Sequence, residues 1–547
     1  MIIGSRSYRR RHSYPYVVCI LLACAAGISL WAAAAPRNYW PLMLAGLAFF
    51  WLAAHRATWG RAFITGTLGG FIYFYLLFDW AQVASGMLVP RAALAGLESL
   101  FFGAVALIWA GIWRWVDSKK SAIAVACGLL TSGISWAGME LARSYIPMGG
   151  LPWGLSACSL VDSPLAHLAS LGGSELVGAA AVIASISFIL ALRNFLHLHP
   201  VRAIAAACIS ILILCLPLAL LSTPESNGTL RVGIVQGNAP KIGEVSTESW
   251  SSITTENHIQ AANKILAQQP DILIFPESTS ALDYREDPDT REDIQQLARK
   301  AGVPLLLGTQ KYFERDGRTL RTNDYVIQYP DGTIPSDAET YSKQRPVPFG
   351  EYVPYRSFFE HLTTKTDEIP IDMEPGDKPA HLSIHLTNSV HTDNSEQRLT
   401  AAVPICFEIV YADIVAEGAL GSHFLIVPTS NVTFEESDEA FQQFAITRFR
   451  AIETGRAAIQ VSTMGTSGVA MPDGKIIYQT ELFTQDARIV DIPLYQGETY
   501  AIRTWAQRYC ITAAGLVFAI VLSARGLQRT RIPQRTQVKS SLASIAW

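Results

Sequence analysis

Charged side chains are few in this 547-residue sequence: 16% Asp, Glu, Lys and Arg against 50% hydrophobic residues. That balance excludes an ordinary soluble enzyme over the whole length. A formal net charge of -3, with no basic stripe in the polar region, gives nucleic-acid binding no footing. The motifs of metal and serine chemistry are missing too. There is no CxxC, no H-E-x-x-H and no G-x-S-x-G, so neither a zinc site nor a serine-hydrolase elbow has a starting point. Internal repeats and low-complexity segments are absent, and only the basic tail after Arg525 reads as disordered.

The hydrophobic residues that are present are unevenly spread. Residues 15–222 are overwhelmingly apolar, 223–500 have a globular composition, and 506–524 are apolar again. Runs near 15–35, 38–54, 62–84, 92–116, 121–141, 164–195, 201–222 and 506–524 approach the length a helix needs to cross a bilayer. The expectation is a membrane domain at 1–222 with about seven transmembrane helices, a globular domain at 223–500, a last span at 501–525 and a basic tail at 526–547. Arg6, Arg9, Arg10 and Arg11 precede the first run; Arg56, Arg61, Arg114, Lys119, Lys120, Arg193 and Arg202 fall between alternate runs; Arg525, Arg529, Arg531, Arg535 and Lys539 follow the last. The other short connections carry mainly Arg37 and Arg91. By the positive-inside rule both termini are cytoplasmic and the globular domain is extracytoplasmic. "LLACA" (Leu21–Ala25) has the look of a lipoprotein cleavage box at Cys24, but Cys19 and Cys24 read more simply as residues of a first membrane helix.

Within the globular segment, "TLRVGIVQGN", "DILIFPEST", "VPLLLGTQ", "AAVPICFE" and "HFLIVPTS" are short apolar strands with polar ends, and helical stretches near 248–267, 290–301 and 439–454 alternate with them. "DYVIQYPDGTI" reads as strand, Asp-Gly turn, strand. Such alternation predicts an α/β domain with both sheet faces covered. Function in such sheets collects just outside strand ends. Glu277, Cys406 and Ser430–Asn431 fall there, and Lys343 lies in a proline-rich loop.

Of eight cysteines, Cys406 alone lies in the globular segment. A lone extracytoplasmic thiol is either a buried small apolar residue or a nucleophile. As a nucleophile it needs a base or a cationic neighbour. None of His258, His361, His381, His385, His391 and His423 sits at a convincing strand end. Glu277 and Lys343 remain: a carboxylate can take the thiol proton, and a lysine can hold that carboxylate charged and stabilise an oxyanion.

The order Glu277, Lys343, Cys406, in "FPES", "YSKQRPVPFGEYVP" and "ICFE", resembles the nitrilase superfamily of carbon–nitrogen hydrolases. With the membrane spans in front, and with "VQGNAP", "RAIETGR" and "WAGMELARSYIPMGGLPWG", the chain closely resembles the membrane-embedded apolipoprotein N-acyltransferase family. The resemblance implies a polytopic α-helical membrane domain plus an extracytoplasmic α/β domain, a nitrilase-like α-β-β-α sandwich, in a bacterial plasma membrane. It implies acyl transfer from a membrane phospholipid, through a thioester on Cys406, to the α-amino group of a diacylglyceryl-cysteine apolipoprotein. Glu277 would be the general base and acid, Lys343 its electrostatic partner. Glu351 and Glu408 match further family glutamates, the first ordering Lys343 or relaying protons, the second supporting the nucleophile's turn. Phe407 stands where many members have Tyr, and "TSNVTFEESDEAF" replaces a familiar Asn-Asp-aromatic stretch. A tryptophan that some members carry soon after "QGN" has no counterpart there; Trp250 lies later. Trp136, Glu140 and Tyr352 are candidates for substrate binding. No metal or organic cofactor and no nucleic-acid partner is expected, and the chain is expected to be a monomer. The competing readings are a membrane-tethered amidase or hydrolase and a non-catalytic nitrilase-like sensor on a transporter or receptor.

Overall fold

The apolar runs become helices in the computed structural model, which describes residues 14–219, 225–241, 243–280, 282–361, 366–367, 369–387 and 396–528. Arg6, Arg9, Arg10, Arg11, His391, Arg529, Arg531, Arg535 and Lys539 lie outside the described residues. The membrane part comprises α1 (Tyr16–Ala33), α2 (Pro41–Ala54), α3 (Trp59–Leu77), α4 (Asp79–Ser85), α5 (Leu88–Lys119), α6 (Ala122–Arg143), α7 (Ala169–Leu196) and α8 (Pro200–Ala219). Six helices among the described residues are long and apolar enough to span a bilayer, and α3 with α4, bent by 54°, is a seventh candidate. The 14 residues of α2 rise only about 21 Å, less than the roughly 30 Å hydrocarbon core. Aromatic rings fill the centre: Trp136 on α6 lies 5.1 Å from Phe102, 5.7 Å from Phe50 and 5.8 Å from Trp109, centroid to centroid.

The globular part places two six-stranded sheets face to face. In one, the order is β12 (Asp486–Tyr495), β1 (Ser226–Gln236), β2 (Ile272–Ile274), β3 (Leu305–Arg315), β4 (Arg318–Gln328) and β5 (Thr340–Ser342). In the other it is β11 (Ile476–Gln479), β10 (Gly468–Ala470), β9 (Ala458–Ser462), β8 (Phe424–Thr429), β7 (Glu396–Ala402) and β6 (His381–Thr387). A parallel triplet sits at the heart of each, β1–β2–β3 and β7–β8–β9, flanked by antiparallel strands. Side chains alternate between the faces as strand geometry requires. Ile234, Ile272, Ile274 and Leu306 pack into the core shared with the second sheet, whereas Val235, Leu273, Leu305 and Leu307 pack beneath α9 (Thr247–Asn263) and α10 (Pro288–Ala301). The outer layer of the second sheet is α11 (Ala412–Ala419) and α12 (Glu439–Thr454). This is the α-β-β-α sandwich.

Two local readings need correction. After Tyr329 the chain turns but forms no second strand before β5; β4 pairs instead with β3 across Asp316–Gly317. Between "DYVIQYPDGTI" and "AAVPICFE", where no strand is expected, His381–Thr387 forms β6, in which Leu382, Ile384 and Leu386 are buried and His381 and His385 exposed. An Asp-Gly turn marks a hairpin only where both flanks can pair, and one alternating strand at a sheet edge is a weak signal.

The last long helix, α13 (Trp505–Gln528), returns to the membrane bundle and packs on α5 and α6.

Candidate active site

Glu277, Lys343 and Cys406 leave three different strands and meet between the sheets. Glu277 follows β2. There the neighbouring strand comes so close that a Cβ on Gly308 would stand 1.6 Å from the Glu277 carbonyl oxygen. The carboxylate accepts from Asn323 Nδ2 at 2.7 Å and from Lys343 Nζ at 3.2 Å, both on Oε1. Lys343 follows β5 and is 0% exposed. Its ammonium also donates to Glu351 Oε1 at 2.7 Å, and Glu351 Oε2 accepts from the Val347 backbone N–H at 2.7 Å. Burial alone would lower the Lys343 pKa, but the Glu277 and Glu351 carboxylates lift it well above the ordinary lysine value. The lysine is a fixed cation.

Cys406 opens a single turn of 3-10 helix, Cys406–Val410, after β7. Its φ of 51° is in the left-handed region, which costs a non-glycine residue energy and is held by its surroundings. Glu408 supplies much of that hold. Its Oε2 accepts from the Ile405 N–H at 2.8 Å and the Tyr341 hydroxyl at 2.9 Å, its Oε1 from the backbone N–H groups of Gln344 and Arg345 at 2.6 and 3.0 Å. One carboxylate thus ties the Cys406 turn to the Lys343 loop. Burial pushes Glu408 up to about 7, with Lys343 and the donors pulling it back toward the charged form. Burial also pushes the Cys406 thiol up, and Glu277's charge adds to this while Lys343 opposes it. These influences favour the neutral thiol over the thiolate, and a neutral thiol needs a base before it can act as a nucleophile.

Phe407 is nearly buried, with its ring stacked on Trp153 at 6.1 Å and 11°. Trp153 belongs to the loop after α6, and its indole N–H donates to Gln442 Oε1 at 2.6 Å. Trp136 and Glu140 hold that loop from below: Trp136 Nε1 donates to Ser156 Oγ at 3.1 Å, and Glu140 accepts from Ser156 N at 2.7 Å and Ser156 Oγ at 3.1 Å. Both are buried, away from lipid. Tyr352 is half-buried in the Lys343–Glu351 loop, next to exposed Phe349, Tyr355 and Phe358. Trp250 folds back, its indole donating to the Pro240 carbonyl at 2.9 Å, and packs with Ala239, Val432 and Met464.

Sequence reasoning did not find Asn323, Thr429, Gln443 or Glu439. Thr429, the last residue of β8, and Gln443, on α12, both lie within hydrogen-bonding range of the sulfur. No signal set Gln443 apart: on α12 the polar residues Glu439, Gln442, Gln443, Thr447 and Arg450 gather on one face, the pattern of a solvent-facing helix. Glu439 accepts from Asn431 Nδ2 at 2.6 Å, and burial pushes it up to about 8.

Comparison with known proteins follows the same division of the chain. The apolipoprotein N-acyltransferase N-terminal domain matches residues 26–187, and the carbon-nitrogen hydrolase domain matches residues 231–501. The chain is 30% identical over 499 residues to the apolipoprotein N-acyltransferase of Mycolicibacterium smegmatis, covering 84% of this chain and 77% of that one. It is 28% identical over 506 residues to that of Pseudomonas syringae pv. tomato, covering 89% and 93%. Among solved structures, an amidase from the nitrilase superfamily of Nesterenkonia covers 52% of this chain and 96% of its own at 14% identity and a TM-score of 0.35.

Proposed function

The chain belongs to the apolipoprotein N-acyltransferase family, and from that premise we propose how its residues carry out the transfer. The reaction, the last step of lipoprotein maturation, takes an acyl chain from a phospholipid and leaves it as an amide on the N-terminus of a lipoprotein. In the first half, Glu277 takes the Cys406 proton as the sulfur attacks the ester carbonyl carbon. The oxyanion that forms faces the Lys343 ammonium. As the intermediate collapses, the ester C–O bond breaks, Glu277 returns its proton to the departing oxygen, and lysophospholipid leaves an acyl thioester behind.

In the second half, the α-amino group of the diacylglyceryl-cysteine attacks the thioester carbon. Glu277 takes a proton from the nitrogen, the C–S bond breaks, and the proton passes to the sulfur. Glu351 keeps Lys343 in place through both halves. The donor enters as an ester, so no cofactor is called for. A site held between two sheets and roofed by the membrane domain favours the amine over water as acceptor.

The observation that supports this reading most is Lys343 Nζ, unexposed, at 3.2 Å from Glu277 and 2.7 Å from Glu351, with its charge and Glu277's both acting on the Cys406 thiol. The test uses a phospholipid labelled in its acyl chain. Intact mass and peptide mapping are expected to show the label on Cys406, released by hydroxylamine, and then moved to the N-terminus of an added diacylglyceryl-peptide. Cys406→Ala is expected to abolish both. Full transfer by Cys406→Ala would end the thioester mechanism, and release of free fatty acid without N-acylated peptide would turn the reading to a hydrolase.

A further inference from the structure

The sulfur of Cys406 has two neighbours for which the Glu277–Lys343 pair does not account. Thr429 Oγ1 lies 3.5 Å from it and Gln443 Nε2 lies 3.7 Å from it. Both side chains are buried, at 0% and 1% exposure. Their orientation is fixed from behind. Gln443 Oε1 accepts from Thr429 Oγ1 at 2.9 Å and from Asn431 Nδ2 at 2.8 Å, which turns the NH2 end of the amide toward the sulfur. Asn431 is held in turn, its Nδ2 donating to Glu439 Oε2 at 2.6 Å and its Oδ1 accepting from Ser462 Oγ at 2.6 Å.

A buried amide N–H aimed at a neutral thiol is poorly satisfied, since a thiol is a weak acceptor, and leaving such a donor unmet is costly. A thiolate satisfies it well. Thr429 can serve the same state. Its one hydrogen goes to Gln443 Oε1 while the sulfur is a thiol, and rotation about the C–O bond brings it to the sulfur once charge develops. Gln443 Oε1 keeps the Asn431 donor throughout.

The charged and titratable groups facing the sulfur are Glu277 from the end of β2, Lys343 from the loop after β5 and Glu439 from α12; of these only Lys343 favours the anion.

We propose that Thr429 and Gln443 are further catalytic residues, donating hydrogen bonds to the Cys406 sulfur while it is a thiolate and releasing it when the thioester forms. The proton lost by the sulfur goes to Glu277, and the two donors move no proton off their own atoms. This rests on Cys406 being the nucleophile, and the test separates the two claims. Carbamidomethylation of Cys406 by iodoacetamide is followed against pH in the full-length protein, read as mass on the Cys406 peptide so that the other cysteines do not contribute.

Thr429→Val and Gln443→Met are each expected to raise the apparent pKa of that profile by about one unit, leaving roughly tenfold less thiolate at a fixed lower pH. Thr429→Ser is expected to keep the wild-type profile. Acyl-enzyme formation at neutral pH is expected to fall by a similar factor, with the KM for phospholipid unchanged. If Gln443→Met does not fold, the comparison of Thr429→Val with Thr429→Ser decides alone. A Thr429→Val profile superimposable on wild type overturns the proposal while leaving the nucleophile in place. Transfer by Cys406→Ala overturns the mechanism itself, whatever the alkylation profile.

Discussion

Lys343 reaches two carboxylates from a position with no solvent exposure, so each acid is part of what makes its charge tolerable there. Glu351→Gln leaves Glu277 as the one anionic partner and replaces a charge-assisted bond with a neutral one. Acylation measured by rapid quench is expected to slow roughly 10- to 100-fold; an unchanged rate would remove Glu351 from the chemistry. Glu439 makes a different kind of prediction. Its carboxyl is raised to about 8 by burial, against the Asn431 hydrogen bond and with the Glu277 and Asp79 charges adding, so the folded protein holds a proton that the unfolded chain releases near pH 4.5. The stability from that proton is complete below about pH 4.5 and is lost as pH rises through about 8. Thermal unfolding of wild type is expected to fall more steeply between pH 5 and pH 9 than that of Glu439→Gln, and parallel curves would contradict it. At this scale the candidate site was legible where its residues stand in punctuated motifs, Glu277 after "FP", Glu351 in "FGEYVP" and Cys406 after a strand, and the fold brings Glu277 and Glu351 to Lys343. The site was unreadable at Asn323 and Gln443. A polar residue in a strand or helix looks like a solvent-facing one until the opposing layer is known.

Between β2 and β3 the site depends on an absence of side chain. A Cβ at Gly308 would fall 1.6 Å from the Glu277 carbonyl oxygen, 2.2 Å from its carbonyl carbon and 2.7 Å from its Cα, and backbone cannot yield as a flexible side chain does. Gly308→Ala is therefore expected to displace Glu277 and cut acylation by more than tenfold, with far-ultraviolet circular dichroism unchanged; near-wild-type acylation would show that the strands can part at no cost. On the other side, α12 explains why its pattern misleads. It lies between the second sheet and the membrane domain, with residues from Glu439 to Thr454 buried around the whole circumference. Its polar residues face partners rather than water: Gln442 meets Trp153 and the Leu77 carbonyl, and Arg450 donates to the Ile409 and Val410 carbonyls and pairs with Glu453. The helix and its end were legible, with Gly455 closing it at φ 65°. What those residues touch was not, because most of the contacts lie outside the helix, from 40 positions away for Arg450 to 365 for Gln442.

The membrane and catalytic parts grip one another through polar contacts that the apolar runs did not foretell. Arg37, in the α1–α2 connection, pairs with Asp438 at 2.8 Å; Asp79, where α3 bends into α4, accepts from the Asp438 N–H at 3.1 Å; and Arg508 on α13 bridges Glu175 and Glu453. The last bridge needs the break in α7, where Gly173 has φ 59° and a Cβ would stand 1.7 Å from Arg508 Nη1. These contacts also sort the basic residues by side. Arg37 and Arg91 belong to connections at the catalytic end of the bundle, whereas Arg56, Arg61, Arg114, Lys119, Lys120, Arg193 and Arg202 flank the opposite helix ends, and Arg114 donates to the Ala57 carbonyl there at 2.6 Å. Positive charge is retained on the cytoplasmic side of a membrane, so the catalytic domain should face outward. A cysteine introduced at Lys475, 80% exposed on the catalytic domain, is expected to react with a membrane-impermeant maleimide on intact spheroplasts. One at Lys119, at the far end of α5, is expected to react only after lysis. Both are read as mass on the peptide carrying the new cysteine. Labelling of Lys119→Cys alone before lysis would invert the protein, put the catalytic domain in the cytoplasm, and separate the site from the leaflet in which a lipoprotein acceptor presents its amine.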